Sequence, residues 1–319
     1  MRAARFVAAI VCALLLVPAA APALADDYPS HPITLIVPYP PGGGVDTIAR
    51  VMSAKLSVAL GQQIVIENRP GAGAVIGTRA AAKAPPDGYT LVMLATGFTL
   101  PANTGYEAKD FAPIGTISSA PIVVMAHPSL PVNSLAEVVA LAKKEPGKLS
   151  AGTPPPPTLN YFAIELMKVM TGIDLTIVTY KGTGPLTNDL VGGHVPLAFN
   201  TIAPALGNIQ AGKIRAIAVA APKRSAALPD VPTASEAGLP GFEAVLYYGI
   251  AAPAGTPKPI VDRINKEMRA IIASEEISKR IVNDGGDPAP ATPEEYAASI
   301  ERDEAKWAEL IKKIGLVIN

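Results

Sequence analysis

Residues able to do chemistry in this 319-residue chain are concentrated in one short stretch, residues 37–50, VPYPPGGGVDTIAR. The β-branched run just before it, Ile33–Val37, reads as a buried strand. Pro38, Pro40 and Pro41 stop that strand, because proline cannot extend a central ladder. Tyr39 sits among them, and Gly42, Gly43 and Gly44 precede Asp46 and a helical pattern. Strand, glycine turn and helix N-terminus together offer free backbone N–H groups to an anion. Asp46 is itself anionic and would repel a carboxylate. Its expected task is therefore to cap the helix, accepting from the N–H of Ile48 or Ala49. The plainer reading of the three glycines is a tight structural turn.

Little else reads as reactive. The three histidines, His31, His127 and His194, do not lie at ligand spacing from one another or from a carboxylate pair, so no metal is expected. There is no G-x-S-x-G elbow, and no nucleophile, base and orienting acid can be assigned. Gly71, Ala72, Gly73 and Gly77 loosely resemble a dinucleotide fingerprint. Asn68, Arg69 and Pro70 separate them from the preceding strand, and no acidic residue closes a second strand, so a structural loop is the expectation. Arg69 could reach a carboxylate, but a surface or interlobe role fits better. No enzyme activity and no cofactor are expected.

The first residues do not belong to the fold. Arg2 and Arg5 lead into an apolar run, residues 6–17, that is too short to span a bilayer, and Ala23-Leu24-Ala25 is a small-residue exit. Residues 1–25 therefore read as a secretory signal peptide, cut near Ala25. The lone cysteine, Cys12, lies inside it, so the mature chain has neither disulfides nor thiol ligands. An exported chain without disulfides fits a bacterial periplasm. Formal charge is +0, which argues against a nucleic-acid partner or an anionic membrane surface. Apolar residues make up 49% of the chain, enough for a large core.

Strand-like and helix-like segments alternate. Strands are expected at 33–37, 63–67, 89–95, 122–126, 149–152, 175–180, 195–200, 214–220 and 244–251. Helices are expected at 46–60, 74–83, 134–144, 158–170, 186–191 and 202–210, with three more after Thr256. Thr292, Pro293 and Glu295 form a capping box for the last of these, and Gly315 ends it. Alternation of this kind predicts βαβ units and a mainly parallel sheet. It divides into two α/β lobes, residues 26–121 plus 251–319 and residues 122–250. Strands near Ile122 and Tyr248 would be the crossings, and the C-terminal helices would return to the first lobe. A double crossing permits hinge closure over a ligand.

Segments across nearly the whole mature chain, among them VPYPPGGGVDTIAR, GQQIVIENRPGAG, PDGYTLVM, YKGTGP and APAGTPKPIVDRIN, resemble a known family. They are similar to Bug-type solute-binding proteins, the periplasmic receptors of tripartite tricarboxylate transporters. The resemblance implies a two-lobed periplasmic binding protein fold (type II-like, α/β, two interlobe crossing strands). It implies capture of a small organic carboxylate and delivery to membrane permease subunits. One ligand carboxylate would sit between a loop from each lobe. In this chain the first loop corresponds to Tyr39, Pro40, Pro41, Gly42, Gly43, Gly44 and Asp46. The second corresponds to Gly152, Thr153 and the residues up to Thr158 and Asn160, joined by Thr183, Gly184, Phe199 and Asn200.

Two departures from the family pattern stand out. Pro154, Pro155, Pro156 and Pro157 replace a small glycine-containing stretch, and prolines have no N–H to donate. The second half of the clamp must then lean on Thr153, Thr158, Asn160 and the N–H groups after the prolines. Asn200 stands where an acidic residue is common, which weakens any requirement for a ligand amino group. Phe98, Tyr161 and Tyr247 are candidate pocket aromatics, with core packing as their plainer role. The expected ligand is a dicarboxylate or an aromatic carboxylate, and a monomer is expected. A ligand-loaded sensor that signals to a membrane kinase is the alternative.

Overall fold

The computed structural model describes residues 28–42, 44–95 and 104–316. The expected signal peptide with Cys12, as well as Gly43 and Phe98, lies outside the described residues.

The strands are β1 (Ile33–Val37), β2 (Ile64–Asn68), β3 (Thr90–Ala95), β4 (Phe111–Ala126), β5 (Ser150–Thr153), β6 (Thr176–Thr179), β7 (Leu197–Thr201), β8 (Arg215–Val219), β9 (Val245–Pro253) and the short β10 (Asp287–Pro288). The helices are α1 (Gly44–Leu60), α2 (Val75–Ala82), α3 (Leu135–Lys144), α4 (Leu159–Thr171), α5 (Thr183–Val191), α6 (Leu206–Gln210), α7 (Lys258–Ala273), α8 (Glu275–Asn283) and α9 (Pro293–Ile314).

One curled sheet runs through both lobes in the order β2-β1-β3-β9-β4-β7-β5-β6. Strands β1, β2 and β3 are mutually parallel in one lobe, and β5, β6 and β7 in the other. Every ladder that involves β4 or β9 is antiparallel. The sheet is thus mixed, not mainly parallel. The reason is that the two lobes are joined by a pair of strands that pass each other in opposite directions. β4 pairs with β9 from Phe111 to Pro121, then from Ile122 onward with β7 and β8. Its first half escapes the sequence pattern because Pro113, Gly115 and Pro121 read as breakers. The ladder absorbs Pro113 and Gly115 where its register shifts between them, shifts again between Thr116 and Ser118, and carries Pro121 at its end opposite Val245.

Helix ends follow local chemistry. Ser134 caps α3 and Thr158 caps α4, each accepting from the N–H three residues on. The Thr292/Glu295 capping box opens α9, and Gly315 closes it in a left-handed conformation. Helix α6 is shorter than its sequence pattern suggests, because residues 202–205 form a turn before it.

Two large cores result. One buries Leu35, Met52, Leu56, Leu91, Met93, Ile264 and Met268. The other buries Val124, Phe162, Met167, Phe199 and Phe242. Each large side chain fully withdrawn from water contributes about 1.5–3 kcal/mol. The expected return of residues 251–319 to the first lobe does not extend to the end of α9. Trp307 and Leu310 belong to the second core, and Trp307 stacks on Phe162 of α4 at 5.9 Å between ring centroids. At its other end Tyr296 is buried against Gly249 of β9. With 22 residues, α9 is about 33 Å long, enough to lie across both lobes.

Candidate ligand cleft

The first-lobe loop is folded by Asp46. Its Oδ2 accepts from Gly42 N at 2.9 Å and from Arg50 Nε at 2.8 Å, and its Oδ1 accepts from Asn68 Nδ2 at 2.8 Å. Asp46 is therefore not the cap of Ile48 or Ala49. It lies inside the first turn of α1, which starts two residues earlier than expected, and it reaches backward instead. These donors, Arg50 first, hold its carboxyl at about 2, well below the ordinary carboxylate value. Its charge is paired with Arg50, and Asn68 hydrogen-bonds the other oxygen. Gly42 takes a left-handed turn (φ +84°) that brings its N–H onto the carboxylate. Asn68 also donates to Tyr39 O at 3.1 Å, so the end of β2 holds both sides of the loop.

With Asp46 turned away, the first turn of α1 has backbone N–H groups without partners inside the helix. Tyr39 is partly buried beneath this loop. Burial raises its hydroxyl pKa well above the usual range, with Tyr248 and Tyr106 adding to the effect, while a backbone hydrogen bond from Ala95 opposes it. Tyr39 is thus an un-ionised support that joins the loop to the crossing strand β9.

In the second lobe the threonine side chains are engaged by the proline run. The buried Thr153 hydroxyl donates to Pro154 O at 3.0 Å. The Thr158 hydroxyl faces Pro154 O at 3.2 Å and Pro155 O at 3.0 Å, and accepts from Tyr161 N as the cap of α4. Asn160 Nδ2 donates to Phe199 O at 3.1 Å and lies 3.4 Å from Asn200 Oδ1. Asn200 is 1% exposed. Its Oδ1 also accepts from Thr201 N at 2.9 Å, and its Nδ2 donates to Thr187 Oγ1 at 3.3 Å. Thr153, Thr158, Asn160 and Asn200 thus form a polar frame whose hydrogen bonds turn inward. The first N–H groups of α4 and of α5, whose first two residues are Thr183 and Gly184, have no partners inside their helices.

A cleft of about 370 Å³ opens beside α1, and none of the expected ligand residues among those described lines it. Thr47 and Ile48 of α1 form one side, and Thr201 and Ala203 the other. Ser118 and Ala120 of β4 and Tyr248 of β9 form the floor, and Ile281 with residues 283–286 closes one end. Sequence reasoning missed this floor and end wall. The neighbouring Tyr247 was proposed instead of Tyr248, and no local motif marks Asn283–Gly286 as part of a site. Residue alternation along β9 was the one available signal.

The remaining candidates fall elsewhere. Tyr161 packs edge-on against Phe162 at 6.0 Å. Tyr247 is partly buried near Asp303 of α9. Arg69 makes a double hydrogen bond to Glu67 on the surface, at 2.5 and 3.0 Å. Ala72 and Ala74 both take left-handed φ (48° and 79°) in a tight turn before α2, which is a structural loop. His31 stacks on Tyr89 at 3.5 Å. Among the described residues no group of three His, Cys, Asp or Glu could hold a metal ion.

The chain resembles proteins already known. The family model described as the tripartite tricarboxylate transporter family receptor matches residues 48–316. Protein BugT of Bordetella pertussis is 35% identical over 303 residues, which is 93% of each chain. A Rhodopseudomonas palustris protein, Rpa4515, solved with adipate, superposes with a TM-score of 0.77 at 34% identity, covering 91% of this chain and 99% of that one. MatC from the same species, solved with malate, superposes with a TM-score of 0.74 at 31% identity, covering 89% and 100%.

Proposed function

The chain belongs to the tripartite tricarboxylate transporter receptor family, and on that premise we propose that it captures a small organic carboxylate between its lobes for such a transporter. Members of this family are periplasmic solute receptors, not enzymes. The ligand is a dicarboxylate or an aromatic carboxylate, and the partners are the transporter's membrane subunits. The protein acts as a monomer in the periplasm after loss of residues 1–25. Residues 26–121 with most of 251–319 form one jaw and residues 122–250 the other, closing about β4 and β9.

One observation carries this reading. Asp46 is drawn back onto Gly42, Arg50 and Asn68, so the first turn of α1, which reaches the cleft at Thr47, offers N–H donors while its own carboxylate is paired with Arg50. A helix N-terminus stabilises an anion by about 0.3–2 kcal/mol, depending on burial. The opposing donors are the first turns of α4 and α5. The relatives solved with adipate and malate support a carboxylate as the ligand class.

A thermal-shift screen of organic acids tests the reading. A carboxylate should raise the melting temperature of the native protein. Thr47→Glu should abolish that response, because it places a permanent carboxylate at the anion wall. An acidic residue in a first helical turn favours the helix, so this variant should keep its fold. An undiminished response in Thr47→Glu, or no response to any acid, would sink the proposal.

A further inference from the structure

The two ends of the cleft are electrostatically unlike. At one side the first turn of α1 presents N–H groups beside Thr47 and Ile48. The end wall is built from the opposite pole of a helix, the C-terminus of α8, followed by the turn Asn283, Asp284, Gly285 and Gly286. A helix C-terminus carries partial negative charge. A turn of this kind can still bind an anion if its N–H groups point outward. Here they point inward. Asp284 N donates to Arg280 O at 3.0 Å, Gly285 N to Val282 O at 2.9 Å, and Gly286 N to Ile281 O at 2.9 Å. This is a Schellman closure, and it engages the turn's donors on the helix's own carbonyls.

The charged side chains tell the same story. Asp284 lines the cleft, and Arg280, the cation nearest to it on the helix, is held on Asp284 Oδ2 at 2.7 Å. Thr201 N, on the opposite wall, is engaged by Asn200. No lysine or arginine stands among the described lining residues. Ile48, Ala120, Ala203, Tyr248 and Ile281 supply an apolar surface between the two ends.

We propose that the α8 C-terminal turn, through Asp284 and its inward-facing N–H groups, selects carboxylates whose far end is uncharged and apolar, and rejects a second carboxylate. The inference rests on the receptor reading above; it keeps the aromatic arm of the ligand class, adds alkyl monocarboxylates and drops the dicarboxylate arm. A second carboxylate at that wall would lose water while meeting the Asp284 carboxylate, paired on one side by Arg280, with no backbone donor and only the Asn283 amide to receive it, whereas a ring or alkyl tail would cover Tyr248 and Ile281.

The test uses matched pairs that differ by one carboxylate: hexanoate against adipate, and phenylacetate against phenylenediacetate. Calorimetric titration of the mature protein should give roughly tenfold or greater preference for the monocarboxylate in the pair that binds. Asp284→Asn removes the like charge and frees Arg280, and should shrink that ratio several-fold. Equal or tighter binding of the dicarboxylates by the native protein would overturn the inference and leave the receptor reading standing. An unchanged ratio in Asp284→Asn would overturn the role of Asp284 in it. Absence of binding across the whole acid screen would remove the receptor reading and the inference together.

Discussion

Gly285 rests on the backbone of Ala203: a Cβ at Gly285 would come within 2.7 Å of both the N and the Cα of Ala203. Gly285 follows α8 and Ala203 follows β7, so this contact joins the cleft's end wall to its second-lobe side. Asp287, two residues on, reinforces it by accepting from Ala226 N at 2.7 Å and from Ser225 Oγ at 3.2 Å. Gly285→Ala should therefore act twice. The left-handed φ of +79° costs an alanine about 1–2 kcal/mol, and its methyl forces the turn away from Ala203. A lower melting temperature together with weaker carboxylate binding is the expected outcome, read by thermal melts and titration. A fall in stability with unchanged affinity would separate the turn from the binding step.

Asp46 holds the Tyr39–Gly42 loop from behind. Removing it in Asp46→Ala takes the partner from the exposed Gly42 N–H and the half-buried Asn68 amide, a cost of about 0.5–1.5 kcal/mol. Its carboxyl titrates at about 2 when folded, against 3.8 ordinarily. A depressed folded pKa gives stability that is fully present above about pH 4 and lost as pH falls toward 2. Acid titration of the melting temperature should show that limb in the native protein and a shallower one in Asp46→Ala.

Asp303 has the opposite sign. Burial pushes its carboxyl up to about 6, with Lys306 and Arg302 opposing. A raised folded pKa means that the folded state binds the extra proton. Its share of stability is present below about pH 4 and falls as pH rises to 6. Asp303→Asn keeps the shape without the charge and should raise the melting temperature at pH 7.5 by a few degrees. It should also flatten the decline between pH 4 and 6.

Ala74 holds a φ of 79° at the start of α2. Glycine adopts that conformation without the Cβ clash, so Ala74→Gly should stabilise the protein by about 0.5–1 kcal/mol. Urea melts would detect this as a higher midpoint with an unchanged slope.

Trp307 is the chain's one tryptophan, it is 2% exposed, and it stacks on Phe162. Trp307→Ala should cost about 3–5 kcal/mol, an unusually large penalty so close to a C-terminus. Chemical denaturation followed by circular dichroism measures it.

What the sequence disclosed was local. The Val37–Gly44 turn, the Thr292 capping box and the Gly315 stop all depend on residues within a few positions of one another, and the helix and strand periods follow. What it hid depends on partners far apart in the chain. Asp46 looked like an ordinary cap because its partner Asn68 sits 22 residues away on β2. Asn200 looked like a ligand group until the fold placed Asn160 and Thr187 around it. The first half of β4 was masked by Pro113, Gly115 and Pro121, which only a long bulged ladder can accommodate. The end wall at Asn283–Gly286 carries no motif, because its part in the cleft comes from the path of β10 beside β4.

Helix α9 bears on how the jaws can move. Two neighbouring strands make a ribbon, and a ribbon bends and twists with similar ease. α9 lies across the same junction as a rigid strut, seated on Gly249 through Tyr296 and on Phe162 through Trp307. Because α9 is anchored at both ends outside the ribbon, a rotation of one lobe on the other must displace α9 as well as strain β4 and β9. The molecule is thus built like a door with a third, offset hinge pin. Any change in the angle between the lobes is shared by three connections, not two.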